Sequence, residues 1–503
     1  MIERLVINSA GPLPSDKPLL RQLGFFDCTM IVVGSMIGSG IFIVPAYMAR
    51  VIQSPGGLLA AWLVTGILTI GAAISYAELS SALPEAGGMY RYLREAFSPL
   101  TGFLYGWTFF TVIQTGTIAA VAVASARFMG VLFPWVSESH YLLGPFRFTA
   151  HYAISLSTAQ LVGVIIILIL TVTNALGLRY GKWVQNVLTV VKLGSIAALI
   201  LIGLTLGINR PAIHDNFTHM FQFHGLPQPD NLFSSVPIIA MLVAICVSQS
   251  GSLFSADSWH NVAFTSEEVR NPRRVLPRAL ILGSSLVVLI YFVTNVVYLS
   301  NLSFAALETA PHDRVATAML ERVFPSYGST LMAVAVIIST FGCNNSLILS
   351  GARAYYAMAR DGLFFRSVAK LNKFDVPGRS LNLQALWSIM LVLLTTYSAT
   401  AGYGNLYSDL LDYVISAALF FYILTIAGVM VLRRKRPEMD RPYKTWGYPV
   451  TPIIYIVGAA TILLCLGVYR PATTWPGFII VACGVPVYFL FRNGAKRVNS
   501  HRF

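Results

Sequence analysis

The chain has 503 residues, of which 56% are hydrophobic and 11% charged, and its formal net charge is +14. A soluble protein of this length carries roughly a quarter charged residues. Here apolar runs recur along nearly the whole sequence, each long enough to cross the ~30 Å hydrocarbon core of a bilayer as a helix. That pattern excludes a sizeable soluble domain and makes the chain an all-α integral membrane protein.

Residues 1–26 are polar or mixed and contain no apolar segment followed by a small-residue cleavage site, so they read as a cytoplasmic segment rather than a cleaved signal. Twelve predicted spans follow, at 27–49, 58–83, 101–133, 158–176, 183–206, 236–266, 279–299, 328–352, 383–401, 407–432, 450–468 and 475–491. An even number puts both termini on one side. The clusters "VRNPRR" (269–274), "RRKR" (433–436) and the "KRVNSHR" tail all fall on that side, so the positive-inside rule makes it cytoplasmic. The basic balance is therefore topological, and no nucleic-acid partner is expected.

No G-x-x-x-x-G-K-[ST] loop is present to cradle a nucleotide. The eight histidines are too scattered for a metal site, and no cofactor is expected. Only His260 lies near a span, which argues against an intramembrane serine protease and against enzymes generally. The five cysteines fall in or beside apolar runs, as buried thiols do, with no disulfide framework.

Two stretches weaken their own helices. In the first span, "VGSMIGSGIF" (33–42) places Gly38, Ser39 and Gly40 in a row, about 16 Å along a helix from Asp27 and so near the bilayer midplane. Small residues four apart also serve close helix packing, but three in succession favour a local break. In the sixth span an apolar run gives way to "SQSGSLFSADSW" (248–259), rich in serine and containing Asp257. A polar face on an intact buried helix is the alternative there. Spans 1 and 6 correspond if the chain is two five-helix halves plus two further helices. Interrupted helices at matching positions point to a transporter site at the repeat interface. A break frees N–H groups that attract a carboxylate and carbonyls that can hold an ammonium, the two poles of an amino acid zwitterion.

The fifth span carries Lys192 about 14 Å from its cytoplasmic end, too deep for its stem to reach water comfortably. An ionisable group at that depth marks function by default. Its ammonium can stand where a cation would bind, or exchange a proton. Asp257 has two readings, a ligand for a substrate amine or an N-cap for the second half of the broken sixth helix.

These features resemble the amino acid–polyamine–organocation transporter superfamily, including its L-type amino acid transporter branch. "GSMIGSGIF" is similar to the family's unwound first helix, and "SYAELSSALPEAGGMYRYLREAFSP" (75–99) to its second-to-third-helix signature. "VQNVLTVVKL" (184–193) resembles the lysine-bearing fifth helix, and "EEVRNPRRVLP" (267–277) the loop after the sixth. "ARAYYAMARDGLFF" (352–365) and "RRKRPEMDRPYKTWGYP" (433–449) resemble the cytoplasmic segments after helices eight and ten.

The resemblance implies a five-plus-five inverted repeat with discontinuous helices 1 and 6 and two extra C-terminal helices, working by alternating access. The expected division is 1–26, a first repeat at 27–206, a second at 207–432, and helices 11–12 with the tail at 433–503. It further implies that N–H groups at Ser39 and Gly40 hold the substrate carboxylate. Carbonyls at Met36 and Phe254, with Asp257, take the amine, while Ile37, Gly38 and Ser255 line the same site and Phe254 gates it. Lys192 would replace a sodium ion, bridging Gly34 or Ser35 to Ser339 or Thr340. "FSADSW" departs from the common F-A-Y-D-G-W, with Ala256 in place of an aromatic and Ser258 in place of glycine, which bears on how the substrate side chain is read. Residues 134–157 hold no cysteine, so no disulfide-linked glycoprotein subunit is expected. The expected function is sodium-independent transport of neutral L-amino acids across the plasma membrane, as exchanger or proton symporter. The alternatives are a cationic amino acid or polyamine antiporter using Asp257, and a non-transporting amino acid sensor.

Overall fold

The computed structural model describes residues 20–149, 152–223, 237–398, 402–403 and 406–500. Most of the expected segment 1–26, the end of the expected span 383–401 and the last tail residues lie outside them. In chain order the helices are α1 (Phe25–Met36), α2 (Gly40–Ile52), α3 (Pro55–Ala82), α4 (Met89–Ala96), α5 (Pro99–Thr108) and α6 (Gln114–Leu132), the last two joined by a π turn at Phe109–Ile113. After the hairpin β1 (Tyr141–Arg147) and β2 (Tyr152–Ser157) come α7 (Thr158–Ala175), α8 (Leu178–Thr205), α9 (Arg210–Thr218) and α10 (Pro237–Ser255). A 3-10 segment (Trp259–Glu268) leads into α11 (Pro272–Asn301), α12 (Phe304–Glu308), α13 (Val315–Val323) and α14 (Gly328–Arg360). Then follow α15 (Gly378–Leu393), β3 (Leu394–Ser398), β4 (Gly402–Tyr403), α16 (Leu406–Lys435), α17 (Val450–Tyr469) and α18 (Pro471–Ser500).

Among the described residues 11 helical segments are long and apolar enough to span a membrane. The expected ninth span is not one of them. Its helix α15 has 16 residues, short of the ~20 a span needs, and runs on as strand β3.

Local sequence explains where helices start. Ser98 Oγ accepts from Thr101 N at 3.2 Å with Pro99 in the first turn, and Ser157 and Gln160 form a reciprocal capping box. The hairpin departs from the loop expected at 134–157. Its strand β2 pairs antiparallel with both β1 and β3, and Tyr152–Ser157 alternates in burial as a strand must.

Helix faces set the core. On α8, Leu178, Gly181, Gln185, Thr189, Lys192, Ile196, Leu199 and Gly203 are buried, a three-and-four spacing that aims one face inward. Trp183, Val190 and Leu201 on the other faces are exposed. That stripe turns Lys192 into the protein. The principal packings are α3 on α11, α6 on α14, α10 on α2, and α1 on α8 and α11.

Candidate functional site: two helix breaks and a buried lysine

The first span breaks where the small residues stand. α1 ends at Met36, residues 37–39 are non-helical, and α2 restarts at Gly40 with Ser39 as its N-cap. A helix start leaves N–H groups without the acceptor a full turn back that an unbroken helix would give them; here Phe42 N donates to Ser39 O at 3.1 Å. Gly40 is fixed by proximity. A Cβ there would lie 2.2 Å from Ser255 Oγ and 3.0 Å from Ser255 Cα, so only glycine lets the two broken spans touch.

Carbonyls around the break are claimed by four side chains from three different helices. Lys192 Nζ donates to Gly34 O at 3.0 Å and Ile37 O at 2.7 Å. Cys343 Sγ on α14 donates to Ser35 O at 3.1 Å, and Tyr291 Oη on α11 to Met36 O at 2.9 Å. Ser339 Oγ donates to Gly38 O at 3.1 Å. Met36 O, expected to take a substrate amine, is thus already an acceptor for Tyr291, with one lone pair remaining.

Lys192 is wholly buried. Its stem lies against α14 at Gly342, where a Cβ would come within 3.3 Å of Lys192 Cε. Of the four residues expected around it, Gly34 is an acceptor and Ser339 meets the same carbonyl cluster. The hydroxyls of Ser35 and Thr340 bond elsewhere. Ser35 Oγ donates to Ile31 O and bonds Ser346 Oγ at 2.7 Å, and Thr340 Oγ1 donates back to Val336 O and Ile337 O on its own helix. The Ser35 hydroxyl joins α1 to α14 and that of Thr340 stays on its own helix, while Ile37, read from the sequence as a substrate residue, supplies the shorter of the two lysine contacts.

The second break is narrower than the sequence suggests. Serines 248 to 255 stay helical because their hydroxyls can donate to carbonyls a turn back, as Ser248 does to Ile245 O and Ser255 to Gly251 O. Gln249 and Ser252 join Thr65 of α3 in a buried cluster. The helix opens only at Ala256–Ser258. Ser258, with φ 66°, occupies the N-cap position of the following 3-10 segment. Asp257 immediately precedes it. Its Oδ1 accepts from Tyr422 Oη of α16 at 2.6 Å. Phe254 is buried at the helix end, its carbonyl accepting from Asp257 N at 3.2 Å. Tyr291 ties the two breaks together, its hydroxyl lying 3.1 Å from Ser255 O as well.

Sequence reasoning missed Tyr291, Cys343 and Tyr422. Each is an ordinary residue inside an apolar run, carrying no local signal of the backbone it meets. At the end of the 3-10 segment, Glu268 forms a buried two-pronged ion pair with Arg353 at 2.9 and 3.0 Å. Glu268 O also accepts from Gln22 N and Leu23 N, and Leu23 bridges Val269, drawing the lead-in to α1 onto the end of the sixth span. The cavity of about 840 Å³ lined by Arg127, Glu138 and Arg314 contains none of the predicted site residues.

A polytopic helical bundle with paired helix breaks around a buried lysine defines a membrane transporter of the discontinuous-helix class. The amino acid permease family model matches residues 23–491, and the chain belongs to that family. It is 28% identical to the serine/threonine exchanger SteT of Bacillus subtilis over 94% of this chain and 97% of that one. It is 31% identical to the mouse large neutral amino acids transporter small subunit 2, covering 94% and 81%. With the mouse b(0,+)-type amino acid transporter 1 the identity is 28%, covering 94% and 88%. The family and these relatives are transporters, and amino acid transport across a membrane is the function they support.

Proposed function

We propose that this protein carries neutral L-amino acids across the plasma membrane without sodium, as an exchanger or proton symporter, through a twelve-helix, five-plus-five inverted repeat. The observation that carries the reading is Lys192 Nζ on the Gly34 and Ile37 carbonyls. A fixed ammonium there supplies the positive charge that a bound cation would otherwise bring to the broken helix. The zwitterion would sit between the N-terminal N–H groups of α2, with Ser39 and Gly40, and the end of α10 at Phe254 and Ser255. α3 packs on α11 and α6 on α14, each helix against its counterpart five spans later, a pairing that supports the repeat reading.

Neutral substrates are favoured because Asp257 is the one carboxylate at the breaks and is already hydrogen-bonded by Tyr422. The serine/threonine and large neutral names of two relatives agree with this. The termini are assigned to the cytoplasm. The absence of a cysteine in 134–157 supports activity without a disulfide-linked glycoprotein.

The test is reconstitution in liposomes loaded with unlabelled amino acids, following uptake of a labelled panel with and without sodium or a pH gradient. Uptake of serine, threonine or larger neutral amino acids unaffected by sodium is expected. A sodium requirement would overturn the role of Lys192. Binding without any uptake would favour a sensor.

A further inference from the structure

At the base of α11 a cavity of about 530 Å³ is lined by Arg21, Pro84, Asn271, Pro272, Arg273 and Arg274. Three of the six are guanidinium side chains. The first turn of the 30-residue helix α11 forms one wall, and its N-cap Asn271, at φ 50° and ψ 56°, makes no side-chain cap. A helix start of this kind favours an anion. Arg273 meets Asp440 at 2.6 Å on the rim, with both side chains more than half exposed. Among the described residues Arg21 and Arg274 make no salt bridge. Arg270 Nε lies 3.4 Å from Arg21 O, adding a fourth guanidinium beside the cavity.

Topology alone explains basic residues at a membrane face, but it does not require them to line a cavity walled by two prolines. The apolar surface alongside is where lipid tails lie. Leu20 is exposed immediately before Arg21, Phe25 and Phe26 are exposed where α1 begins shortly after it, and Leu282 is exposed on α11, which packs against α1. Charge above an exposed aromatic and aliphatic strip is the chemistry of an amphiphile.

We infer that this cavity binds the phosphate of an anionic membrane phospholipid, with its acyl chains along Phe25 and Phe26. Arg21 and Arg274 hold the phosphate oxygens in the paired N–H geometry that guanidinium offers. The site straddles a closure. Arg21 lies just before Leu23 and Arg274 just after Val269, the two residues of the parallel bridge, and Arg270 N donates to Leu23 O at 2.8 Å. A phosphate shared by the two arginines therefore clamps the lead-in of α1 to the end of the sixth span. The clamp's bearing on transport rests on the alternating-access reading above, whereas lipid binding does not.

The experiment is native mass spectrometry of the purified full-length protein exchanged into equal phosphatidylglycerol and phosphatidylcholine. The wild type is expected to retain phosphatidylglycerol preferentially. Arg21→Gln/Arg274→Gln should lower that preference by about thirtyfold, as expected for two surface guanidiniums. The charge-matched Lys370→Gln/Lys373→Gln, at exposed positions outside the cavity, should keep it. Equal retention of the two lipids by the wild type, or an undiminished preference in the arginine variant, would overturn the proposal. Inorganic phosphate serves as the competitor. Displacement of the lipid by equimolar phosphate would assign the site to a free anion and overturn the lipid assignment. If the arginine variant does not fold, the wild-type lipid preference and the phosphate competition still decide. Retention is read without transport, so a protein that moved no amino acid would still report on this site.

Discussion

Gly40 and Ser255 touch across the two broken spans, with room for a hydrogen at Gly40 and for nothing larger. The first helix half begins its second segment where the sixth span ends its first, and the contact sets the distance between the N–H groups of α2 and the carbonyls of α10. Gly40→Ala drives a methyl group into Ser255 Oγ and Cα. Overpacking of this kind costs about 1–3 kcal/mol, and here the relaxation separates the two halves of the proposed site. Uptake in liposomes should fall at least tenfold while the protein still elutes as a folded particle. The double variant Gly40→Ala/Ser255→Gly, which removes the obstructing hydroxyl, should recover part of it.

Lys192→Ala removes the donor to Gly34 O and Ile37 O, leaving Ile37 O only the longer contact from Ser339 Oγ at 3.5 Å. An unsatisfied buried group costs about 1–3 kcal/mol. On the alternating-access reading proposed above, the break is where the helix rearranges, so turnover should suffer more than substrate affinity. Equilibrium binding of a labelled amino acid to the detergent-solubilised variant, set against its exchange rate in liposomes, separates the two. Unchanged exchange would remove Lys192 from the mechanism.

Tyr291 Oη reaches Met36 O at 2.9 Å and Ser255 O at 3.1 Å with one proton to give, so it donates to one break at a time. Tyr291→Phe keeps the ring against Trp62, 5.6 Å away edge-on, and deletes only that hydroxyl. The stability loss should be near one hydrogen bond, about 1 kcal/mol, read as a small fall in Tm. The exchange rate should change by more than that fall explains, because both broken ends lose a shared donor. A variant matching wild type in rate would make Tyr291 a packing residue.

The first break and the lysine were legible because their signals are local. Three small residues in a row cannot sustain a helix, and a charge at mid-membrane depth has few explanations. The second break was misjudged in extent because serine is ambiguous. Its hydroxyl satisfies itself within a helix, so the polar run "SQSGSLFS" stays helical and only Ala256–Ser258 open. Partners that arrive from distant helices had no signature. Nothing in the runs around Tyr291, Cys343 and Tyr422 announces the carbonyls and carboxylate they meet. The bonds of Thr340 are equally hard to read, since a threonine in a helix serves its own backbone as readily as a neighbour's. The hairpin was missed although "YAISLS" alternates, because six residues carry little weight beside apolar runs three times as long.

Glu268 and Arg353 offer the sharpest test of how the side bearing Leu23 and Val269 is closed. Both side chains are 2% exposed, and Arg353 also donates to Leu349 O. Removing one partner of such a pair strands a buried charge and costs about 3–5 kcal/mol, whereas replacing both by apolar residues of similar size is often neutral. Arg353→Met should therefore lower Tm markedly, and Glu268→Met/Arg353→Met should recover most of the loss. The single variant should also loosen Gln22 and Leu23, whose N–H groups rest on Glu268 O at 2.8 and 2.9 Å. Cys28, one turn into α1 and fully buried, reports on that movement. Its labelling by a membrane-permeant maleimide, located by peptide mass, should rise in Arg353→Met and stay low in the wild type. Protection of Cys28 in the single variant, with Tm unchanged, would mean that the pair neither supports the fold nor holds this side closed.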